Sequence, residues 1–180
     1  MKKLILIGGV LAGGKSTFSH MVGERFQIPV VNKDRLKEIL GDNIRTENRE
    51  ENKKLSVISF ELMTYLMGCS GEALVLESNF KDYELRKLAV LTDKMGTEVL
   101  SIVLDGDDVI LHQRFNKRLN ENRHPVHKSQ DFSRLEDFTL TLDELRGALY
   151  PGQVIRIDCT DFSYQKDESL YAKIKDFLKN

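Results

Sequence analysis

A glycine-rich segment near the start of the chain carries its clearest chemical signal. Residues 9–16 read Gly-Val-Leu-Ala-Gly-Gly-Lys-Ser and match the pattern G-x4-G-K-[ST]. In this pattern, successive backbone N–H groups and the positive end of the following helix form a cradle for an anion. We therefore predict that the phosphates of a nucleotide such as ATP bind the following residues: Gly9, Ala12, Gly13, Gly14, Lys15, Ser16 and Thr17.

Two side chains of this loop have separate expected tasks. The ammonium group of Lys15 can reach the β- and γ-phosphates, and the hydroxyl group of Ser16 can ligate a Mg²⁺ ion that bridges them. Kinases, NTPases and nucleotide-dependent switches all use this cradle, so the motif by itself does not distinguish them.

Acidic and polar residues follow the other apolar segments that resemble buried strands. In an open parallel sheet, these strand ends all reach the edge that carries the phosphate loop. They are Asn32-Lys33-Asp34, Glu77-Ser78-Asn79, Asp105 and Asp158.

Asp34 and Glu77 are the two acids to which chemistry can be assigned. Asp34 is the candidate general base that accepts the proton of an acceptor hydroxyl, and the alternative is an N-cap of the helix that follows. Glu77 is the candidate Mg²⁺ ligand, directly or through water, and the alternative is an exposed strand-end carboxylate.

The acceptor is expected to bind beside Asp34. The segments available for it are Lys33–Lys37, the loop Asp42–Arg49 and the turn Ser78–Lys81, with Lys37, Ser78 and Asn79 as the named contacts. These residues fit a sugar, a nucleoside, an antibiotic or a nucleic-acid 5′-end about equally well.

A basic segment over about residues 112–130 is the candidate lid. Arg114 and Arg118 are spaced i,i+4 on one helix face, and Arg123 precedes His124-Pro125. Guanidinium groups can neutralise the charge that spreads over a transferring phosphoryl group. The alternative is a solvated helix face with salt bridges, and for the two histidines a surface or packing role.

Short apolar segments alternate with amphipathic ones along the chain. We predict strands near 4–7, 29–31, 73–76, 99–104 and 154–157, and helices near 15–26, 34–40, 50–67, 83–94, 107–120 and 166–178. Gly41 is expected to end the second helix, and Leu55, Ile58, Phe60, Leu62 and Leu66 are expected to face inward from the third. This alternation predicts one three-layer α/β domain over 1–180 with a five-stranded, mainly parallel sheet.

The composition indicates which partners and which cell compartment fit this chain. The net charge is −1, from 27 basic and 28 acidic residues, so the overall balance does not call for a polyanionic partner or an anionic membrane surface. Two distant cysteines without a CxxC pair fit a reduced, cytoplasmic setting. The first apolar run contains four glycines and is too short to span a bilayer, so we expect neither a signal peptide nor a membrane anchor.

On these residues the chain resembles the small P-loop kinases that include phage-type polynucleotide 5′-kinase, gluconate kinase, chloramphenicol phosphotransferase and the zeta-toxin group. The resemblance runs through Ile7–Thr17, Val30–Lys37 and Leu104–Arg118, with Leu11, Ala12 and Gly13 departing from the family's usual loop residues. It implies a P-loop NTPase fold with sheet order 2-3-1-4-5 and a helical lid. It also implies Asp34 as the base, Arg114 and Arg118 as phosphate-facing arginines, and an adenine site near Asp158–Thr160.

The sequence therefore predicts an enzyme that uses ATP and Mg²⁺ to phosphorylate a hydroxyl group of a small molecule. A kinase acting on polynucleotide 5′-hydroxyl groups is the first alternative, favoured by Lys33, Arg35 and Lys37 but not by the neutral overall charge. A nucleotide-dependent ATPase or switch without an acceptor is the second.

Overall fold

The computed structural model of the chain describes residues 2–121, 124–127 and 132–179. These residues form five strands and seven α-helices. The strands are β1 (Lys3–Gly9), β2 (Val30–Asn32), β3 (Ala73–Glu77), β4 (Glu98–Asp105) and β5 (Gln153–Asp158). The α-helices are α1 (Lys15–Phe26), α2 (Lys33–Asn43), α3 (Arg49–Cys69), α4 (Asp82–Lys94), α5 (Asp108–Asn120), α6 (Leu135–Arg146) and α7 (Glu168–Lys179). Short 3₁₀ helices lie at Pro125–His127 and Ser163–Lys166.

The five strands form one parallel sheet in the order β2-β3-β1-β4-β5, which confirms the predicted architecture. The register places Asn32 beside Glu77, and Gly9 beside Leu104. The carboxyl ends of the strands therefore meet at one edge, where the chain leaves β1 for the phosphate loop.

Alternate residues of β1 supply two separate hydrophobic cores. Ile5 and Ile7 pack in a cluster with α1, α5, α6 and α7, whereas Leu4 and Leu6 pack in a cluster with α3 and α4. Because successive strand residues point to opposite faces of the sheet, this division places helices on both faces. Within the described ranges, no helix has the length and apolarity that a membrane span requires.

Three local predictions differ from the structure, and the first concerns α2. This helix continues through Gly41 to Asn43 instead of stopping at the glycine. A Cβ atom at Gly41 would lie 3.2 Å from Val126 Cγ2, so the small residue there serves close packing against the 3₁₀ helix Pro125–His127. The prediction that Gly41 ends α2 is therefore wrong.

The second difference is the inward face of α3. Ile58, Leu62 and Leu66 are exposed, with relative exposures of 41%, 37% and 37%. Apolar residues surround this helix on several sides, so hydrophobicity alone did not select its buried face. That face is formed by Leu55, Ser59, Phe60, Met63 and Met67.

The third difference is α6, which the sequence analysis did not predict. Phe138 and Leu142 of this helix are buried in the core on the α1 side of the sheet. Leu135, Phe138, Leu142 and Leu145 recur at helical spacing, so a signal was present.

Candidate active site

The phosphate loop follows β1 in a backbone conformation that needs small residues. Gly9 has φ +106°, and a Cβ atom there would lie 2.0 Å from the Leu104 carbonyl oxygen. Gly14 has φ +85°, and Ala12 takes the left-handed conformation at φ +57°. That conformation costs an alanine roughly 1–2 kcal/mol, so the loop geometry is held by its surroundings.

Hydrogen bonds from distant parts of the chain hold the loop. Val10 N donates to the Leu104 carbonyl oxygen at 2.9 Å, and the Tyr164 hydroxyl donates to the Gly13 carbonyl oxygen at 2.8 Å. Gly9 N donates to the Tyr150 hydroxyl at 2.8 Å, and burial raises the pKa of that hydroxyl to about 12. The Gly9 N–H therefore already has a partner, and the later amides of the loop remain for a phosphate.

The Tyr150 contact gives a stability prediction. Tyr150→Phe removes the acceptor of the Gly9 N–H and should lower the free energy of unfolding by about 1–3 kcal/mol. Urea unfolding measures the change. Tyr65→Phe is the control, because Tyr65 is 69% exposed and a surface change of this size should cost less than about 0.5 kcal/mol. Equal stability of the Tyr150 variant and wild type would show that the bond contributes nothing.

Lys15 is buried, with a relative exposure of 6%, although a loop lysine is expected to be exposed. Its Nζ donates to the Val10 carbonyl oxygen at 2.5 Å. Burial lowers the pKa of Lys15, against the opposing effect of Glu77 and Asp34. A buried ammonium group that donates to a neutral carbonyl oxygen is a suitable partner for phosphate oxygens.

Ser16, Asn32 and Glu77 form a polar cluster beside Lys15. The Ser16 hydroxyl donates to Glu77 Oε2 at 3.1 Å, and the Asn32 amide also donates to that oxygen. Burial raises the pKa of Glu77 to about 7, although Lys15 and the Ser16 hydrogen bond act to lower it. A hydroxyl and a carboxylate oxygen are hard donors that fit Mg²⁺, which takes few protein ligands and completes its shell with water and phosphate oxygens.

Asp34 lies in the first turn of α2 and is exposed. The N-cap of this helix is Asn32, whose side-chain oxygen accepts from Arg35 N at 2.8 Å. The alternative of Asp34 as the cap is therefore wrong. Asp34 lines the phosphate-loop cavity together with Lys15 and Glu77, and its carboxylate forms no hydrogen bond or ion pair within the described residues.

The two arginines of α5 differ in their contacts. Arg114 donates to the carbonyl oxygens of Cys159, at 2.8 Å, and of Thr160, and its guanidinium group lies 3.7 Å from the centre of the Phe162 ring. Arg114 thus fixes the loop after β5, a role the sequence did not predict. Both arginines line the phosphate-loop cavity with Asp34, and Arg118 is the exposed one of the two. Arg123 lies outside the described residues.

Several solved structures have the same architecture as this chain. A protein of Chloroflexus aurantiacus described as a candidate kinase has a TM-score of 0.84 at 21% identity, over 98% of each chain. The tunicamycin resistance protein of Deinococcus radiodurans has a TM-score of 0.64 at 17% identity, over 97% of this chain and 96% of its own. A gluconokinase of Sinorhizobium meliloti has a TM-score of 0.54 at 18% identity, over 95% of this chain and 97% of its own. The chain has the fold of the small P-loop kinases.

The fold resemblance inferred from the sequence is thereby confirmed. No protein-family model and no curated protein matches the chain. These likenesses lie below 25% identity, so they establish the P-loop kinase fold and not an activity.

Two strand-end acids of this P-loop kinase fold do not join the cluster at the phosphate loop. Asp105 accepts from Arg146 Nε at 2.9 Å, and Arg146 also contacts Asp108 at 2.6 Å. Asp158 accepts from Thr160 N at 2.8 Å, which closes a turn. Both acids therefore hold local structure, and Arg146 comes from the unpredicted helix α6.

The predicted acceptor contacts lie on the other side of Asp34. Lys37, Ser78 and Asn79 line a second cavity of about 410 Å³ that also contacts Asp34. Asn79 lines both cavities, and its buried Oδ1 atom has no hydrogen-bond partner among the residues that the structure describes. The structure thus brings the predicted acceptor residues together next to the phosphate-loop cavity.

Proposed function

We propose that this protein transfers the γ-phosphoryl group of ATP to a hydroxyl group of a small molecule. The observation that carries the proposal is the shared cavity, in which Lys15, Asp34 and Arg118 line one space with the phosphate loop. A buried cation and an arginine can stabilise phosphoryl charge, and an unpaired carboxylate can accept a hydroxyl proton. These are the parts that phosphoryl transfer needs.

Each residue has one task in this proposal. The amides of Gly13 and Gly14, with the Lys15 ammonium group, bind the phosphates of ATP. Ser16 and Glu77 hold Mg²⁺, which supplies neutralisation of phosphate charge when bound. Asp34 accepts the hydroxyl proton and orients the acceptor oxygen.

The loop after β5 supports a site for the nucleotide base. Phe162 lines the phosphate-loop cavity, and Arg114 holds the loop through its two carbonyl contacts. An aromatic ring at the wall of this cavity can pack against an adenine. We place the adenine beside Phe162.

Arg118→Ala should lower kcat by about 10²-fold with little change in the KM for ATP, because its charge acts mainly on the transferring group. Steady-state kinetics with ATP and the acceptor measures both constants. Arg118→Lys is the matched variant, since it keeps the charge but loses the planar fork, and it should retain more activity. An unchanged kcat in the alanine variant would support the alternative, in which Arg118 belongs to a solvated helix face and takes no part in transfer.

The test of the proposal is a screen of hydroxyl-bearing metabolites for ATP consumption, with the Lys15→Met variant as the blank. We expect ADP formation that depends on one acceptor class and on Mg²⁺. The two alternatives have distinct outcomes. An oligonucleotide acceptor would lose orders of magnitude in affinity between low and moderate salt, whereas a small molecule would not. ATP hydrolysis without any acceptor would indicate the ATPase or switch.

A further inference from the structure

The acceptor cavity beside Asp34 has an unusual distribution of charge. It is lined by side chains from α2, from the amino-terminal part of α3, from the turn between β3 and α4 with the start of α4, and from the 3₁₀ helix Pro125–His127. Its basic members are Lys33, Lys37, Arg49, Lys53 and Lys81. Asp34 is the only carboxylate among the described residues that line it. The chain as a whole has a net charge of −1, so this concentration of cations does not follow from composition.

One of these cations is neutralised by the protein itself. Lys33 is buried and forms an ion pair with the fully buried Glu84. Arg49, Lys53 and Lys81 differ, because their side chains form no ion pair or hydrogen bond within the described part of the chain. Three positive charges therefore line the cavity without an ion-pair partner among the described residues.

Of the four basic residues of α3 and α4 that do not line the cavity, three are paired, and Lys94 has no ion pair within the described residues. Lys54 lies 3.7 Å from Glu50, and Lys87 lies 2.6 Å from Glu61. Arg86 forms an ion pair with Asp82. Apart from Lys94 at the carboxyl end of α4, the basic residues of α3 and α4 that have no partner among the described residues thus lie at the cavity wall. A negatively charged ligand would supply the counter-charge for these cations.

We infer that the phosphoryl acceptor is a small anion that carries both a hydroxyl group and a carboxylate or phosphate group. This inference rests on the proposed function. The acceptor hydroxyl lies against Asp34, which accepts its proton. Asn79 lines the same cavity, and its buried Oδ1, which has no hydrogen-bond partner among the described residues, can accept from another donor group of the acceptor. The anionic group lies against Arg49, Lys53 and Lys81. A volume of about 410 Å³ suits a small molecule, since ligand pockets hold roughly 300–1,000 Å³.

Matched acceptor pairs test the inference. Each pair shares a hydroxyl-bearing skeleton and differs in charge: gluconate with sorbitol, glycerol 3-phosphate with glycerol, and thymidine 3′-phosphate with thymidine. We expect kcat/KM to be at least about tenfold higher for the charged member of the productive pair, because a charge-assisted contact is lost in the neutral one. The productive pair also distinguishes a carboxylate from a phosphate. Equal or better use of the neutral member overturns the inference but does not contradict the proposed kinase activity.

Lys53→Gln and Lys54→Gln provide the matched variants, because the two lysines are adjacent on α3 but only Lys53 lines the cavity. Lys53→Gln should raise the KM for the charged acceptor about tenfold, with kcat and the KM for ATP unchanged. Lys54→Gln should leave the KM for the charged acceptor, kcat and the KM for ATP unchanged. Equal effects of the two substitutions would overturn the assignment of Lys53 to the anion.

Calorimetric titration of the same compounds without ATP separates failure of the inference from failure of the proposed function. Binding of a charged member that Lys53→Gln weakens about tenfold supports the anion site, even if no transfer occurs and the kinase proposal fails. No binding of any charged member overturns the anion site. A single-stranded oligonucleotide with a 5′-hydroxyl that is phosphorylated in preference to every small anion overturns the assignment to a small molecule.

Discussion

Asp34→Asn should lower the rate of phosphoryl transfer by about 10²–10⁴-fold and leave the affinity for ATP unchanged, because asparagine cannot accept the hydroxyl proton. Stability should also be unchanged. Asn32 caps α2, and Asp34 forms no hydrogen bond within the described residues that the amide would lose. Rapid-quench measurement of phosphoryl transfer, with the free energy of unfolding from urea titration, gives both results.

Asp42→Asn is the control for this substitution. Asp42 lies on the same helix, and its Oδ1 atom contacts His124 Nε2 at 2.9 Å, away from the phosphate-loop cavity. Transfer by this variant should stay within a few-fold of wild type. If Asp34→Asn also stays within a few-fold of wild type, the base is another group.

Lys15→Met should lower turnover by about 10⁴-fold or more, because the variant loses the buried cation that neutralises phosphoryl charge. Methionine has a similar volume and carries no charge. Since burial of the ammonium group is unfavourable, the free energy of unfolding should be equal to that of wild type or higher. Near-normal turnover by the folded variant would contradict the assignment of the phosphate loop to ATP binding.

Lys33→Met gives the contrast in stability. Lys33 is also buried, but it pairs with Glu84, which would be left as an unpaired buried carboxylate. That loss should cost about 3–5 kcal/mol. Urea unfolding of the two methionine variants therefore distinguishes a lysine kept for a ligand from one kept for the fold.

Much of the fold could be predicted because its signals are local. The helix predicted for 15–26 matches α1 at both ends, since the glycine-rich loop precedes it and Pro29 follows. The strands predicted as apolar runs are all present, displaced by one or two residues at their ends. Sheet order came from the family resemblance, because strand neighbours are set by contacts between distant segments.

The contacts that organise the site could not be predicted in the same way. Arg114 binds carbonyl groups 45 and 46 residues away, and Tyr150 accepts from an amide 141 residues away. No spacing rule links such residues. The sequence placed Arg114 and Arg118 on one helix face, and both line the phosphate-loop cavity, but only tertiary contacts assign Arg114 to the loop after β5.

The fate of the γ-phosphoryl group tests the central claim most directly. In a single turnover with γ-labelled ATP, Mg²⁺ and an acceptor from the screen, phosphorus-31 NMR or thin-layer separation shows where the label goes. The account predicts a phosphate ester of the acceptor, formed by wild type and lost in Asp34→Asn and Lys15→Met. Label found only in inorganic phosphate, at the same rate with and without acceptor, would contradict it.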